Sequence, residues 1–376
     1  MKFVFLLLIL ITQLARAQSK LIPFDTYEEN KKDFLSKSFG RPTLSWYLKS
    51  DATLTTDLAF YKYNNTEILV ISSGIHGIEG YVGSSVQRWV MDVLAPKQKL
   101  GRDVLLIHSL NPWGMRNKRR VNENNIDLNR NFATEPGLYQ QKNDDYIKND
   151  SFLNPTAKVD LGFFSRIVFF NKAIQQILAF SLEPLRKAIL LGQYTHEKGL
   201  YFGGHESTEL QCHFDDLLNN ELSAYHKITW IDLHTGYGEK GRLHILANDS
   251  KSEAGKKLKV LFPNHKIDFG DEKNFYKTKG DIATYLELKS TKEQEIQPAV
   301  FEYGTLDSQK VLGSIESLRR MVLENQGFHN GYADVDSQKE ANELFQEMFF
   351  PHDEVWKQSI LRQTKDLLAP LLEISQ

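Results

Sequence analysis

A histidine and a glutamate that could bind a metal ion follow a strongly apolar segment near residue 70. Residues 68–81 read I-L-V-I-S-S-G-I-H-G-I-E-G-Y, with His76 and Glu79 three residues apart. The apolar run predicts a buried β-strand and the glycines predict a tight turn, so both side chains should lie at the carboxyl end of that strand. An imidazole and a carboxylate at this spacing can bind one Zn²⁺ if a third ligand comes from elsewhere. Alone the pair is a weak signal, because most such pairs are unrelated surface residues.

Two further side chains suited to metal chemistry occur at the ends of predicted strands. His234 follows the apolar run K-I-T-W-I-D-L, and Glu302 lies within A-V-F-E-Y. In open α/β sheets, ligands bind outside the carboxyl ends of the strands. We therefore predict that His76, Glu79 and His234 form a His₂Glu zinc site with its fourth position open to water. Glu302 is then the candidate general base that removes a proton from that water.

The elements that must position these residues alternate between strand and helix. Strands are predicted at 58–63, 66–72, 103–110, 227–233, 242–247 and 299–303, and helices at 81–94, 171–191 and through most of the chain after residue 308. The strand–helix–strand order from residue 66 to 110 is a βαβ unit, which predicts a parallel pair of strands. The predicted fold class is α/β, with a mixed, largely parallel central β-sheet and helices on both faces. Pro184 is expected to kink its helix.

Residues 133–155 have the composition of a loop. They are rich in Asn, Asp, Gln, Pro and Gly, residues that favour turns over regular structure. We predict a long surface loop or lid there.

The overall composition is that of a soluble globular protein. The chain has 376 residues, of which 41% are apolar and 25% charged, and its formal net charge of −2 gives no electrostatic basis for binding nucleic acid. Cys212 is the only cysteine, which excludes an intrachain disulfide. We expect Cys212 to be a small, half-buried apolar side chain rather than a reactive thiol.

The N-terminus has the pattern of a secretory signal peptide. The charged pair Met1-Lys2 precedes an apolar run, and Ala15-Arg16-Ala17 fits a cleavage site. The apolar run is too short for a stable membrane-spanning helix. We predict a signal peptide at 1–17 and a single hydrolase domain at 18–376 with a C-terminal helical portion. The mature chain should have no membrane span and should be periplasmic or extracellular.

Several motifs resemble those of the zinc carboxypeptidases. Residues 127–132, D-L-N-R-N-F, resemble the D-x-N-R-N-[FW] signature of that group, known as M14. The motifs G-I-H-G-I-E-G, Y-F-G-G, D-L-H-T-G-Y-G and F-E-Y-G-T resemble more closely an M14-like branch called DUF2817. The resemblance extends over roughly residues 67–305 and implies a zinc carboxypeptidase-like, or phosphorylase/hydrolase-like, fold.

The resemblance also implies a role for each matching position. Zinc would be bound by His76, Glu79 and His234, and Glu302 would be the general base. Asp127 would be the hydrogen-bond partner of the first zinc histidine. Arg120 would polarise the scissile carbonyl, with Arg119 as the second choice for that role. Asn129 and Arg130 would hold the substrate's terminal carboxylate. The forked guanidinium group suits a carboxylate because it can bind both oxygens.

The resemblance leaves three points open. Many carboxypeptidases have a tyrosine that covers the substrate, and Tyr276 and Tyr285 bracket its expected position here without a recognisable motif. Asp232 lies two residues before His234, on the same side of the strand, and could either support the site or form a simple ion pair. The segment between His234 and Glu302, which would contain the specificity pocket, has no readable pattern.

The predicted activity is hydrolysis of an amide bond next to a substrate carboxylate, on a peptide or an N-acyl amino acid. One alternative is an aspartoacylase-like N-acyl amino acid deacylase, because such enzymes share the His-x-x-Glu pair and the D-L-N-R segment. A second is a non-catalytic metal- or ligand-binding protein on the same fold. A serine hydrolase is disfavoured because the chain has no G-x-S-x-G motif.

Overall fold

The computed structural model describes residues 24–162, 164–180, 189, 191–270 and 278–373. The predicted signal peptide, Pro184 and Tyr276 lie outside the described residues. The predicted helix at 171–191 is described up to Phe180, where it forms the end of an earlier-starting helix.

An eight-stranded sheet runs through the described part of the chain, in the order β1-β2-β4-β3-β5-β8-β6-β7. The strands are β1 (Thr43–Leu48), β2 (Asp51–Tyr61), β3 (Glu67–Ser73), β4 (Asp103–His108), β5 (Lys227–Gly236), β6 (Leu243–Ala247), β7 (Ile267–Phe269) and β8 (Glu295–Gly304). The central strands β4, β3, β5 and β8 run parallel to one another, whereas β2 and β6 flank them in the antiparallel direction. The mixed, largely parallel sheet and its βαβ unit are thereby confirmed.

Helices connect the strands and form the C-terminal part. They are α1 (Tyr27–Lys37), α2 (Gly80–Leu94), α3 (Pro112–Arg116), α4 (Asp144–Lys148), α5 (Asp150–Leu153), α6 (Ser165–Phe180), α7 (Glu209–Asp216), α8 (Glu253–Leu261), α9 (Ile282–Lys289), α10 (Val311–Asn330), α11 (Val335–Phe349) and α12 (Glu354–Leu368). Among these described helices, none is long and apolar enough to cross a membrane.

Both faces of the sheet are covered by helices. On one face, apolar residues of α2, α8 and α12, such as Val86, Leu258 and Ile360, pack with the sheet into a single buried cluster. On the other face, α7 and α9 contribute Phe214 and Leu286 to a second cluster. This agrees with the near-continuous apolar runs in the central strands, because strands of a parallel sheet are buried on both faces.

The two outermost strands are not apparent from the sequence pattern. β1 is an edge strand in which only Trp46 is buried, so its residues lack the apolar signature of a central strand. β7 has three residues, too few for any periodicity. β2 also starts at Asp51 rather than at the predicted residue 58, and it pairs with β1 and β4.

The segment 133–155 is packed against the rest of the molecule, unlike the predicted surface loop or lid. It contains α4, α5 and a 3₁₀ turn at Leu138–Gln140. Tyr146 and Leu153 are completely buried, and the Tyr146 hydroxyl donates to the carbonyl oxygen of Leu200 at 2.8 Å. These distant contacts, which composition cannot reveal, hold the segment in place.

Cys212 is exposed rather than half-buried as expected. It lies on α7 between Leu210 and Phe214, which are buried against the sheet. Residues four apart share a helix face, so the residue midway between them points to the opposite side.

Candidate active site

The turn His76–Glu79 is fixed by close contact with a neighbouring loop. Its short 3₁₀ helix leads directly into α2. The amide of Gly77 donates to the carbonyl oxygen of Arg120 at 3.2 Å. A Cβ atom on residue 77 would lie 2.1 Å from the carbonyl carbon of Gly114. The second residue of the motif must therefore be glycine, because only a residue without Cβ permits this approach.

The three predicted metal ligands lie together in a buried cluster. His76, Glu79 and His234 each offer a ligand atom within 4.8 Å of the other two, and each residue is at most 3% exposed. Glu79 Oε2 lies 3.3 Å from Nδ1 of His234 and also accepts a hydrogen bond from the amide of Thr235 at 2.9 Å. Two imidazoles and one carboxylate are the donor set of many mononuclear zinc sites with an open fourth position.

A carboxylate lies beside one ring nitrogen of each imidazole. Asp232 Oδ2 lies 2.6 Å from Nε2 of His234, and because an ionised carboxylate can only accept, that nitrogen carries the proton. Asp127 Oδ1 lies 3.3 Å from Nδ1 of His76, as an ion-pair contact without a hydrogen bond. Nε2 of His76 accepts a hydrogen bond from Nη2 of Arg120 at 2.7 Å. Nε2 of His76 and Nδ1 of His234 therefore carry the lone pairs that could bind a metal ion.

Asp232, whose role the sequence left open, is itself held by a buried network. Its Oδ1 accepts a hydrogen bond from the hydroxyl of Ser72 at 2.6 Å. That hydroxyl in turn accepts one from the indole N–H of Trp230 at 2.8 Å. The network fixes the carboxylate, and through it the ring orientation of His234.

Burial and charge shift the pKa values of the cluster. Burial lowers the pKa of His76, and the charge of Arg120 adds to this. Burial acts in the same direction on His234, but Asp232 and Glu79 outweigh it and raise the pKa of His234 well above its ordinary value. Burial works to raise the pKa of Glu79, yet the two histidines and Arg120 bring it below its ordinary value. Glu79 is thus held in the ionised form that a metal ligand requires.

Carboxylates predominate in the immediate surroundings of the cluster. Asp127, Asp232 and Glu302 are buried beside the candidate ligand Glu79, and the guanidinium of Arg120 lies among them. A proton on His234 offsets part of this negative charge, since Asp232 and Glu79 raise the pKa of His234. A divalent cation bound by the cluster would compensate the charge in place of that proton.

Arg120 lies beside two of the three candidate ligands, His76 and Glu79, and beside Asp127. Its guanidinium donates to Glu79 Oε1 at 3.0 Å and to Asp127 Oδ2 at 3.2 Å, and its Nη2 lies 2.7 Å from Nε2 of His76. The ring of Tyr201 lies 5.4 Å from the guanidinium carbon. A permanent cation is therefore fixed next to the candidate metal site, where it can meet a substrate oxygen.

Tyr201 is a cavity residue that reasoning from the sequence did not single out. It lines the same cavity as the metal cluster and has a positive φ of 56°, which is uncommon for a residue other than glycine. Its only sequence signal was its place in the motif Y-F-G-G.

Arg130 and Asn129 are held rigidly at the other side of the cavity. Arg130 is 4% exposed, and its Nη1 donates to the carbonyl oxygen of Asn129 at 2.6 Å. The side-chain oxygen of Asn129 accepts from the amide of Ile282 at the start of α9, at 2.9 Å. Tyr194 donates its hydroxyl proton to the carbonyl oxygen of Arg130 at 2.8 Å. The pair is in position to bind a ligand in the cavity.

The side chain of Arg119 points away from this cavity. Its Nε donates to Glu324 Oε1 at 2.6 Å, and Nη2 donates to Asn125 and Asn325. Its guanidinium carbon lies 3.6 Å from the centre of the Phe328 ring. These contacts link the loop to α10, so the geometry gives Arg119 a structural position and does not support it as a substrate contact.

Glu302 lies directly beside the metal cluster. It is paired in register with His234 across β5 and β8, and its Oε1 accepts a hydrogen bond from the amide of Tyr237 at 2.9 Å. Burial, with the nearby charge of Glu79, raises the pKa of Glu302 to about 8. A cation bound by the cluster would act in the opposite direction and favour the ionised base.

Tyr285, one of the two candidates for a covering tyrosine, belongs to the core. Its ring packs against Phe132 with centroids 4.8 Å apart, and its hydroxyl donates to Asp215. It is 2% exposed, so it cannot close over a ligand without leaving the core.

One cavity of about 530 Å³ joins most of the predicted residues. Those that line it are His76, Glu79, Arg120, Asn129, Arg130, His234 and Glu302. Asp127 lies behind them, in contact with His76 and Arg120. The structure thus brings together every predicted site residue apart from Arg119.

The fold and the site define an α/β protein with a His–Glu–His candidate metal site beside a buried carboxylate. Residues 26–363 match the family model described as "Protein of unknown function (DUF2817)". The chain belongs to this family. No curated protein has a sequence significantly similar to it.

Several solved structures are similar to this one at low sequence identity. Carboxypeptidase A from Helicoverpa armigera is 11% identical, with a TM-score of 0.45 over 83% of this chain and 75% of that one. Bovine thrombin-activatable fibrinolysis inhibitor is 12% identical, with a TM-score of 0.44 over 82% and 98%. An aspartoacylase family protein from Mesorhizobium loti is 11% identical, with a TM-score of 0.36 over 77% and 67%. Values this low support no conclusion about activity, which must be argued from the site.

Proposed function

We propose that this protein is an exported zinc-dependent hydrolase of the carboxypeptidase type, which cleaves an amide bond next to a free carboxylate. The observation that supports it best is the meeting of His76, Glu79 and His234 with Glu302 and Arg130 in one cavity. Metal ligands alone are compatible with a structural site. A buried carboxylate and a guanidinium fork beside them are what hydrolysis of such an amide requires.

Zinc would be held by His76, Glu79 and His234, and when bound it would supply Lewis-acid activation of water and of the substrate carbonyl. The chain's contribution is to orient these donors. Asp232 accepts the N–H group of His234, which sets its tautomer and increases the basicity of the ligand nitrogen. The carboxylate of Asp127 lies 3.3 Å from Nδ1 of His76 and favours a proton on that nitrogen.

Arg130 and Asn129 would bind the substrate carboxylate. The guanidinium is buried and held by Asn129, so little side-chain entropy is lost when a ligand binds. With the carboxylate anchored there, the neighbouring amide lies towards Arg120, whose cation is oriented by Glu79 and Asp127. Arg120 would stabilise the negative charge that develops on the carbonyl oxygen as water attacks.

Glu302 would move the protons of the reaction. As a carboxylate it takes a proton from the attacking water, and as a carboxylic acid it gives one to the departing amine nitrogen. The amide of Tyr237 fixes one of its oxygens, which leaves the other for the proton. The products are an amino acid with a free amine and a shortened peptide or acyl acid.

An aspartoacylase-like deacylase is the second candidate, because the same residues would bind an N-acyl amino acid equally well. Hydrolysis of N-acetyl amino acids, compared with that of blocked dipeptides, separates the two. A non-catalytic binding protein is the third, and it predicts that neither substrate is cleaved by the zinc-loaded chain.

Replacing Glu302 by Gln tests the proposal, because it keeps the shape and removes the proton acceptor. We expect kcat to fall by about 10²–10⁴ with zinc still bound. Glu295→Gln, at the opposite end of β8 and half-exposed, is the matched control and should retain activity. A Glu302→Gln variant as active as wild type would exclude the proposed base.

Export also belongs to the proposal. Cleavage after Ala17 predicts that the mature protein begins at Gln18. N-terminal sequencing of protein recovered from outside the cytosol would give Gln18, whereas an intact Met1 terminus would contradict it.

A further inference from the structure

The candidate active-site cavity is divided between a charged side and an apolar side. Charged and polar residues reach it from the Asn129–Arg130 segment, from Lys266 and Asp268, and from Asp281 at the start of α9. Helices α6, α10 and α11 form the other side. The residues these helices contribute to what we call the apolar lobe are Ile177, Ile315, Leu318, Met321, Met348 and Phe349. The described parts of these three helices contribute no charged side chain to the cavity, and their polar contribution is two serines of α10, Ser314 and Ser317.

The apolar lobe adjoins the metal-binding segment rather than the carboxylate-binding pair. Its residues share a buried cluster with Ile78, inside the metal motif, and with Tyr81 at the start of α2. Phe349 accepts a hydrogen bond from Thr235 at 2.7 Å through its carbonyl oxygen, next to the ligand His234. Leu128, which precedes Asn129, belongs to a different cluster. If a ligand's carboxylate is bound by Arg130 and its amide lies at the metal site, the part beyond the amide therefore extends into the lobe.

Helix α6 continues this apolar surface beyond the cavity. Ile177 lines the cavity, but Ile174 and Leu178 on the adjoining face are 47% and 81% exposed. Near the start of the helix, Ile167 and Val168 are 56% and 49% exposed. These exposed side chains give the helix more apolar surface than its own packing uses. Exposed apolar surface that joins a ligand cavity is typical of a binding groove.

We propose that the apolar lobe binds an extended apolar group on the acyl side of the scissile amide, so that the preferred substrate is an amino acid carrying a hydrophobic acyl group. This rests on the proposed function for the position of the carboxylate and the amide. The acyl group can be a hydrocarbon chain or a run of apolar side chains. The two present the same chemistry to the lobe, and its two methionines can adapt to either.

The dependence of hydrolysis on acyl length is the direct test. N-acetyl, N-hexanoyl and N-decanoyl derivatives of one amino acid, below their micelle concentrations, are compared by kcat/KM, with acetyl-Leu-Leu-amino acid as the peptide arm. Each methylene that enters the lobe is expected to increase kcat/KM roughly fourfold. From acetyl to decanoyl the gain should exceed about a hundredfold. A decanoyl preference over the peptide would identify a hydrocarbon chain, and the reverse would identify apolar side chains.

A variant of the lobe and a control variant outside the cavity test the lobe directly. Ile177→Ser removes apolar surface from the lobe and should lower kcat/KM for the decanoyl substrate about tenfold, with little change for the acetyl one. Val260→Ser changes an exposed apolar residue of α8 that does not line the cavity and should leave both values unchanged. If Ile177→Ser is unstable, the acyl-length dependence of the wild-type chain still decides the question.

Binding separates failure of this inference from failure of the proposed function. The Glu302→Gln variant is titrated calorimetrically with N-acetyl- and N-decanoyl-phenylalanine. If the decanoyl compound binds more tightly but the wild type does not hydrolyse it, the lobe binds the acyl group as proposed and the proposed hydrolase activity is contradicted. Equal hydrolysis and equal binding of both would overturn the lobe and leave the enzyme standing.

Discussion

Asp232 Oδ2 lies 2.6 Å from Nε2 of His234, and this contact determines which nitrogen of His234 faces Glu79. Because the carboxylate keeps the proton on Nε2, the lone pair of Nδ1 is directed into the ligand cluster. The carboxylate of Asp127 lies near His76 in a similar way, 3.3 Å from its Nδ1. The metal site therefore depends on residues that would not themselves contact the ion.

Replacing Asp232 by Asn should weaken zinc binding about 10- to 100-fold, because an amide no longer fixes the tautomer of His234. Competition with a zinc chelator measures the change. Asp268→Asn is the matched control, since Asp268 also binds a histidine, His244, at 2.9 Å, but outside the cluster. Unchanged affinity in Asp232→Asn would mean that the aspartate only stabilises the fold.

Arg130→Lys should reduce kcat/KM for substrates with a free carboxylate by about 10- to 100-fold, because the cation is retained but the forked pair of donors is lost. When the carboxylate of the same substrates is amidated, kcat/KM of the wild type should be low, and the substitution should hardly change it. Steady-state kinetics on both forms of the substrate test this. An equal loss on acid and amide would exclude carboxylate recognition by Arg130.

Arg119→Ala should destabilise the fold, with zinc affinity unaltered in the protein that folds. The Arg119–Glu324 pair is buried, and removal of one partner leaves an uncompensated charge, which costs about 3–5 kcal/mol. Arg116→Ala removes the more exposed pairs with Glu28 and Asp51 and should cost far less, because solvent screens such pairs. Chemical denaturation gives the free energy of unfolding of both variants. Similar losses in the two variants would contradict the prediction that the Arg119 pair is the more important for stability.

His108 should make the fold sensitive to acid. Its ring is stacked on Phe34, and burial lowers the pKa of His108 to about 3. The unfolded chain then binds one more proton between pH 6.5 and 3, so stability falls as pH falls through this range, by about 1.4 kcal/mol per pH unit. His108→Gln should reduce the slope by that amount in unfolding experiments between pH 6 and 4. An unchanged slope would mean that His108 is protonated in the folded protein.

The positions of the ligand residues could be predicted because they follow from strand ends. Parallel strands bring their carboxyl ends to one edge, so the strand pattern alone predicts His234 and Glu302 near His76. In the structure His234 and Glu302 are paired in register across β5 and β8. The glycines around the metal motif likewise indicate a tight turn. At Gly77 the neighbouring loop comes so close that it leaves no room for a Cβ atom.

The choice between Arg119 and Arg120 could not be made from sequence. The two are adjacent in a loop, and the group that withdraws Arg119 from the cavity is Glu324, 205 residues further along the chain. The packing of residues 133–155 could not be predicted for the same kind of reason. Tyr146 is bound to the distant Leu200, and such a contact leaves no local pattern in a segment with the composition of a loop. The apolar lobe arises from three separate helices and is visible only in the fold.

The metal content of the purified mature chain, measured beside its His76→Ala variant, tests the central claim most directly. After reconstitution and removal of loosely bound metal, we expect about one zinc ion per wild-type chain and almost none in the variant. His205→Ala, which changes an exposed histidine outside the cluster, should retain the wild-type amount. A wild-type chain without zinc, or a His76→Ala variant that binds it as well, would contradict the proposed site.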